Sequence, residues 1–354
     1  MTQRFLAILT VRNESAFLLE WLAHHRACGF TDFLVFANDC QDGTDAMLAR
    51  LQDMGWLTYL PNNAQDAGAL AAKGAQWSAL VRAQAHPLMA AADWAMTLDV
   101  DEFVNIHAGH HQLSCLLKAL PHATALPMTW RFFGNAGVQH FTHSPITQTF
   151  RQAAPRVLHW PWRAAMFKTL FRNDGRYRKL GVHRPRARDQ SAPPPVWVDG
   201  AGREMAPRFH DAGLISPFGR DNYTLFQLNH YALGAMESYV LKADRGRANR
   251  SGAPFDMSYW IERNFNQEAD HSIDALAPAR AQLLADLISD PVLADLHAHG
   301  LAWRHARFET LMLQEPFRDL YGRLLMTEPT RALPLAQAQL LVQYAQKAAA
   351  QSNE

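Results

Sequence analysis

Cysteine is scarce in this chain: Cys28, Cys40 and Cys115 are the only three in 354 residues. They are too few and too scattered for a disulfide framework or a metal-thiolate cluster, and a reducing cytoplasm is the compartment this suits. Long apolar runs are missing as well. From Met1 to Val11 there is one basic residue and an apolar run of about seven residues, short of a signal-peptide core and shorter still than a membrane span. No later stretch reaches spanning length, so a soluble, cytoplasmic protein is expected. Net charge is small, +1, which leaves no whole-molecule field for a nucleic-acid partner. Apolar residues, at 48%, are plentiful enough for a large core.

The first third alternates short apolar runs with helical spacings, the pattern of βα units on a mainly parallel sheet. Phe5 to Val11 reads as a buried strand, with Asn13 or Ser15 capping a helix that Gly29 ends. A second strand from Phe33 to Ala37 runs into Asn38 and Asp39. Asp42-Gly43-Thr44 then turns into a helix over 45–54, capped by Thr44. Further along, the spacing predicts a strand over 57–60, a helix over 69–85 and a strand over 94–98, then an apolar strand over 125–130. Polar groups thus gather at the carboxyl ends of strands, the edge where open α/β sheets bind ligands. Pro193-Pro194-Pro195 marks an extended insertion. After about Asp270 the chain becomes rich in Ala and Leu at helical spacing. The division expected is an α/β domain over 1–268 with a helical extension over 269–354.

Asp99-Val100-Asp101 places two carboxylates on the same side of an extended chain immediately after an apolar strand. Such charges need a counter-ion if buried. A divalent cation would supply it, because Mg²⁺ and Mn²⁺ take oxygen ligands and commonly use only one or two protein carboxylates. The same triplet could also face solvent as an ordinary strand-end turn.

Several further segments join this triplet in order. They are Thr10-Val11-Arg12-Asn13-Glu14 with Leu19-Glu20-Trp21, Asn38 to Thr44, Asp99 to Phe103, Trp130-Arg131-Phe132-Phe133-Gly134, and Leu228-Asn229-His230-Tyr231 with Lys242, Arg245 and Gly246. Together they resemble the bacterial glycosyltransferases related to families 2 and 92, of the GT-A type. The resemblance implies a Rossmann-like, mixed but mainly parallel sheet with flanking helices. It also implies an enzyme that moves a sugar from a nucleotide-sugar donor to a hydroxyl of a glycan or lipid-linked acceptor, in the making of a bacterial surface glycan.

Roles follow from that resemblance. Val11, Arg12, Asn13, Glu14, Asn38 and Asp39 would face the donor's nucleoside, with Lys73 and Gln76 as weaker donor candidates. Asp99 would meet ribose or the metal, and Asp101 and His230 the metal itself. An imidazole in the ligand set favours Mn²⁺ over Mg²⁺. Lys242 and Arg245, three residues apart on a helix, would hold the diphosphate. The reaction expected is a single inverting displacement, with Glu102 or His183 as general base. Trp160 and Trp162 could stack on an acceptor sugar or simply pack.

Between Arg163 and Arg188 only Asp174 opposes many basic residues. That stretch could meet a phosphorylated acceptor, an anionic membrane surface at the protein's periphery, or water. The site is expected to be complete without any residue beyond about Asp270. Two rival readings remain: a sugar-phosphate nucleotidyltransferase, which would need a glycine-rich phosphate loop where this chain has Arg12-Asn13-Glu14, and a noncatalytic sugar- or nucleotide-binding module.

Overall fold

The computed structural model describes residues 3–68, 74–246 and 255–351. Its centre is an eight-stranded sheet. The strands are β1 (Phe5–Val11), β2 (Asp32–Ala37), β3 (Thr58–Pro61), β4 (Trp94–Leu98), β5 (Glu102–Ile106), β6 (Ala125–Phe132), β7 (Phe167–Arg172) and β8 (Phe226–His230). Their spatial order is β3-β2-β1-β4-β7-β6-β8-β5. β1 to β4 run parallel, β7 is antiparallel to both β4 and β6, β8 is parallel to β6, and β5 is antiparallel to β8. This mixed, mainly parallel sheet with helices against it is a GT-A-like architecture. The strand order reverses between β1 and β4, so Val11-Arg12 and Asp99 leave the sheet on either side of the switch point, where a crevice forms.

The main helices are α1 (Ser15–Cys28), α2 (Thr44–Asp53), α3 (Ala75–Gln84), α4 (Leu113–Ala119), α5 (Met236–Arg245), α6 (Ala277–Ile288), α7 (Pro291–Met312), α8 (Glu315–Met326) and α9 (Leu335–Gln351). Gly29 ends α1 as expected, with a left-handed φ of 101°. The caps differ from expectation. Neither Asn13 nor Ser15 caps α1, and Thr44 is the first residue of α2 rather than its cap. Asp42 serves both helix starts instead. Its buried carboxylate accepts from Ser15 N–H and O–H at 2.9 and 2.6 Å and from Thr44 N–H and O–H at 3.0 and 2.6 Å, meeting the unpaired donors of two first turns with one side chain. Of the helix expected over 69–85, only α3 falls among the described residues; Lys73 lies outside them.

The C-terminal helices share the main core. Leu287 of α6 and Leu293 of α7 belong to the apolar cluster that also holds Trp21, Phe103 and Phe132. They cover α1 on the side away from the sheet, so α1 is buried nearly all round and not along one stripe. Contact is closest at Gly300 of α7, where a Cβ would lie 2.0 Å from Ser15 Oγ. Two adjacent histidines of α1 are fully buried and fully partnered. His24 Nε2–H donates to Val104 C=O at 2.7 Å, and its Nδ1 faces Arg280 of α6 at 3.3 Å. His25 Nδ1–H donates to Trp21 C=O at 2.8 Å while its Nε2 accepts from Val104 N–H at 3.3 Å. Burial keeps both rings neutral, pushing His25 down to about 3.

Two predictions follow from this packing. A mid-helix Gly→Ala change at an open position stabilises by about 1 kcal/mol. At Gly300 the opposing Ser15 hydroxyl is fixed on Asp42, so Gly300→Ala is expected to destabilise by about 1–3 kcal/mol in urea unfolding; a gain in stability would show that α7 does not seat on Ser15. The second concerns pH. With folded pKa values below the unfolded value of about 6.5, His24 and His25 refuse protons that the unfolded chain accepts. Their contribution is therefore complete above about pH 6.5 and declines as pH falls, at roughly 1.4 kcal/mol per pH unit for each ring. Urea midpoints should drop between pH 7 and pH 5, and a flat profile over that range would mean the rings are not held neutral.

Candidate active site

A cleft of about 1110 Å³ opens at the carboxyl ends of β1, β2, β4 and β8. That is room for more than one small ligand. Thr10-Val11-Arg12 at the end of β1, Asn38 after β2 and Gln76 of α3 line one side; Asp99, Asp101, His230, Lys242 and Arg245 line the floor. Sheet register explains why His230 meets Asp101 from so far along the chain. β8 runs antiparallel to β5 with His230 opposite Glu102, and Tyr231 N–H donates to Asp101 C=O at 2.8 Å.

Asp99 to Asp101 forms a tight turn between β4 and β5, not the extended segment expected, and the two carboxylates go to different partners. Asp99 is held by Lys168 Nζ at 2.9 Å and Gln76 Nε2 at 3.2 Å, one on each oxygen. Asp101 accepts from Lys242 Nζ at 2.7 Å, and its other oxygen lies 3.8 Å from His230 Nε2. Burial alone would raise the Asp101 pKa, but Lys242 and His230 outweigh it and hold the carboxyl well below the usual range. Burial keeps His230 neutral. Its ring packs 4.5 Å from Trp130, and Nδ1 has no hydrogen-bond partner among the described residues.

Of the two candidate bases, Glu102 is the one set apart from the cleft. It is fully buried and does not line the cleft; one oxygen accepts from Trp130 Nε1–H at 2.7 Å, the other from Asp99 N–H at 2.9 Å with Lys168 Nζ at 3.4 Å. Burial, with Asp99 and Asp101 nearby, raises its pKa despite Lys168. His183 does line the cleft. Its Nδ1–H donates to Phe167 C=O at 3.0 Å, which leaves the Nε2 lone pair as the group available to a ligand. Burial and the Lys168 ammonium push its pKa down to about 4.

The remaining expected residues divide. Val11, Arg12, Asn38 and Gln76 line the cleft as expected. Glu14 lines it too, but is ion-paired with Arg245, which also donates to Arg12 C=O at 3.1 Å. Lys242 and Arg245 are thus engaged with carboxylates, not presented as two free cations. Asn13 is a turn residue at φ 54°, its Oδ1 accepting from Gln41 N–H at 2.7 Å, and Asp39 is exposed at φ 53° outside the cleft lining. Trp160 and Trp162 are also outside that lining; they pack edge to face on each other, 4.8 Å apart. Asp99 does not join Asp101 and His230 as a third metal donor, and no set of three or more His, Cys, Asp or Glu side chains converges for a metal among the described residues.

Two contributors went unread in the sequence. Lys168, wholly buried on β7, is the counter-ion of Asp99 and Glu102; a lysine inside Phe-Lys-Thr-Leu-Phe was the available signal. Arg263, stacked 3.6 Å over the Tyr259 ring, lines the cleft near Lys242. Among the described residues the helical extension contributes none to the cleft lining, whose last member is Arg263. Trp303 and Arg304 of α7 line a second, mainly apolar cavity of about 80 Å³ that shares Asp101, Lys242 and Arg245 with the cleft.

The sequence matches the family model of glycosyltransferase family 92 over residues 8–192. No curated protein matches. Among solved structures, Staphylococcus aureus TarS 1–349 is 12% identical at a TM-score of 0.28, covering 48% of this chain and 47% of that one. S. aureus TarS covers 87% and 55% at 12% identity and a TM-score of 0.33. A CMP-2-keto-3-deoxy-manno-octonic acid synthetase with CTP covers 49% and 75% at 11% identity and a TM-score of 0.24. Such low scores carry no argument about function, and this chain spans about half the length of the TarS chains it matches. The family match is different in kind, because it takes in more than half of the chain, from β1 through the Asp99–Asp101 turn to Lys168 and His183: the chain belongs to glycosyltransferase family 92.

Proposed function

We propose that this transferase moves a sugar from a nucleotide-sugar donor to an acceptor hydroxyl with inversion, supported by a divalent cation on Asp101 and His230. The observation that carries the reading is the pairing of Asp101 with His230 on the floor of a cleft at the sheet's switch point, with Lys242, Arg245 and Arg263 around it. The donor chemistry fits a metal. A neutral imidazole nitrogen 3.8 Å from a carboxylate oxygen is within twice a typical bond length of about 2.1 Å, so one ion can reach both. Two protein donors leave the other positions to water and diphosphate oxygens, and the imidazole favours manganese. Bound there, the ion would neutralise charge on the departing nucleoside diphosphate.

The chain's own groups do the rest. Val11, Arg12 and Asn38 stand where a nucleoside would lie. Asp99, fixed by Lys168 and Gln76, presents a carboxylate in one orientation for ribose hydroxyls. Lys242, now on Asp101, and Arg245, now on Glu14, are within the same cleft as Arg263 and can turn to phosphate oxygens, charge-assisted donors being strong on such acceptors. His183 is the better base of the two candidates, since its Nε2 faces the cleft in the tautomer that accepts a proton. An anionic donor beside Lys168 would offset the ammonium's share of the lowering at His183, while the larger share, from burial, stays. The two carboxylates flanking Asp101, at 99 and 102, have every oxygen engaged, which supports one displacement over a covalent intermediate.

The deciding experiment is a screen of nucleotide sugars with manganese, scored for nucleoside diphosphate release. The matching diphosphate at about a hundred times its dissociation constant should stabilise the fold by roughly 2.7 kcal/mol, a melting rise on the order of 2–4 °C. Asp101→Asn should stay folded and lose that metal-supported rise. Pyrophosphate formation from nucleoside triphosphate and a sugar phosphate, with no diphosphate from any nucleotide sugar, would sink the proposal. A separate prediction addresses Lys168: replacing it with Met leaves Asp99 and Glu102 without their buried counter-ion, expected to cost about 3–5 kcal/mol in urea unfolding, and the second change Glu102→Gln should recover part of that loss. A cost under roughly 1 kcal/mol would remove Lys168 from this role.

A further inference from the structure

Residues 156–220 carry thirteen arginines and lysines against five aspartates and glutamates, a surplus of eight positive charges in a chain whose net charge is +1. The rest of the protein is therefore acidic, and the charge is sharply divided. Part of this basic stretch forms one lip of the cleft: Arg163, Met166, Arg186 and Leu214 line it. The same lip is apolar on its outer side. Leu214, Ile215, Phe218 and Val157 are 37–43% exposed, and the two segments that carry them lie side by side. Phe218 lies 6.5 Å from the Trp162 ring, Ile215 bridges to Met166, and a Cβ on Gly219 would touch the His159 ring at 3.0 Å.

Arg163, Arg156 and Arg220 around this patch each have a carboxylate partner. Arg186 and Arg208 are exposed and take part in no ion pair among the described residues. Exposed aliphatic and phenyl side chains beside the half-buried Trp160 and Trp162, with two arginines that have no carboxylate partner among the described residues, suit the interface of an anionic bilayer, where aromatic rings sit at headgroup level and cations meet lipid phosphates. A carbohydrate would use the rings but not the charge.

We propose that this lip, formed by the 156–166 and 207–220 segments, docks the protein on an anionic lipid surface and turns the cleft mouth toward it. An acceptor carried on a lipid would then reach the site without leaving the bilayer; that purpose, though not the binding, rests on the transferase reading above. The test is sedimentation of the full chain with phosphatidylcholine vesicles, with and without phosphatidylglycerol. Binding is expected only with phosphatidylglycerol and should weaken as salt is raised. Ile215→Ser with Phe218→Ser should lower the partition coefficient about tenfold, and the exposed change Arg208→Glu should lower it as well. Thermal stabilisation by UDP or GDP with manganese, which these positions do not touch, should be unaltered. Absence of binding at low salt, equal binding to the two vesicle types, or wild-type partition by both variants would each overturn the proposal. So would release by excess inorganic phosphate at matched ionic strength, because the site would then hold a free anion. Since sedimentation requires no turnover, its failure is separable from failure of the nucleotide-sugar reading.

Discussion

The site depends on how the turn between β4 and β5 keeps three carboxylates beside a sheet. Asp99, Asp101 and Glu102 fall within four residues, and taking such a cluster out of water is prohibitive unless each charge meets a partner. Lys168 arrives from β7 for Asp99 and Glu102, and Lys242 from α5 for Asp101. The two lysines divide the cluster. One half is sealed, with Glu102 buried against Trp130 and Asp99 fixed in place. The other half, Asp101 with His230 and Lys242, faces the cleft and keeps an ion pair that a ligand can exchange.

That division explains the strand topology's value to the site. β7 has to run antiparallel between β4 and β6 to deliver Lys168 under the turn, and β8 has to lie between β6 and β5 to put His230 across from Glu102. β7, which departs from a purely parallel sheet, supplies the ammonium that balances Asp99 and Glu102. The C-terminal helices add to this from behind. By burying α1 on the side away from the sheet they fix Ser15 and Glu14 at its start, and through Glu14 they set Arg245.

The lip of the cleft follows a different physical rule. Three of its arginines, Arg156, Arg163 and Arg220, are paired, but the stretch 156–220 as a whole keeps a positive surplus, and the apolar residues of the lip are partly exposed. A stretch that is both basic and apolar next to the cleft mouth separates this region from the acidic remainder of the molecule.

How much was legible in the sequence can be judged from particular residues. Strands 5–11, 33–37 and 94–98, the turn at 42–44, the helix stop at Gly29 and the carboxylate pair at 99 and 101 are local signals, since side-chain period, glycine's access to positive φ and the abrupt end of an apolar run act within a few residues. His230 was legible only through a resemblance, as nothing local ties it to position 101. Glu102 and Asp101 look alike in sequence, yet one is sealed and the other open, because burial and partner choice depend on residues 28 to 141 positions away, Trp130 and Lys168 for the one and Lys242 for the other. The same holds for Lys168, an ordinary lysine until β7 pairs with β4, and for Trp160 and Trp162, whose rings turned to each other and not to the cleft. Local chemistry therefore determined the first strands, the stop of α1 at Gly29 and the presence of an acidic turn; tertiary structure alone decided the helix starts shared through Asp42 and which carboxylate faces the cleft, since the energy of a charge is set by what the fold brings within a few ångströms of it.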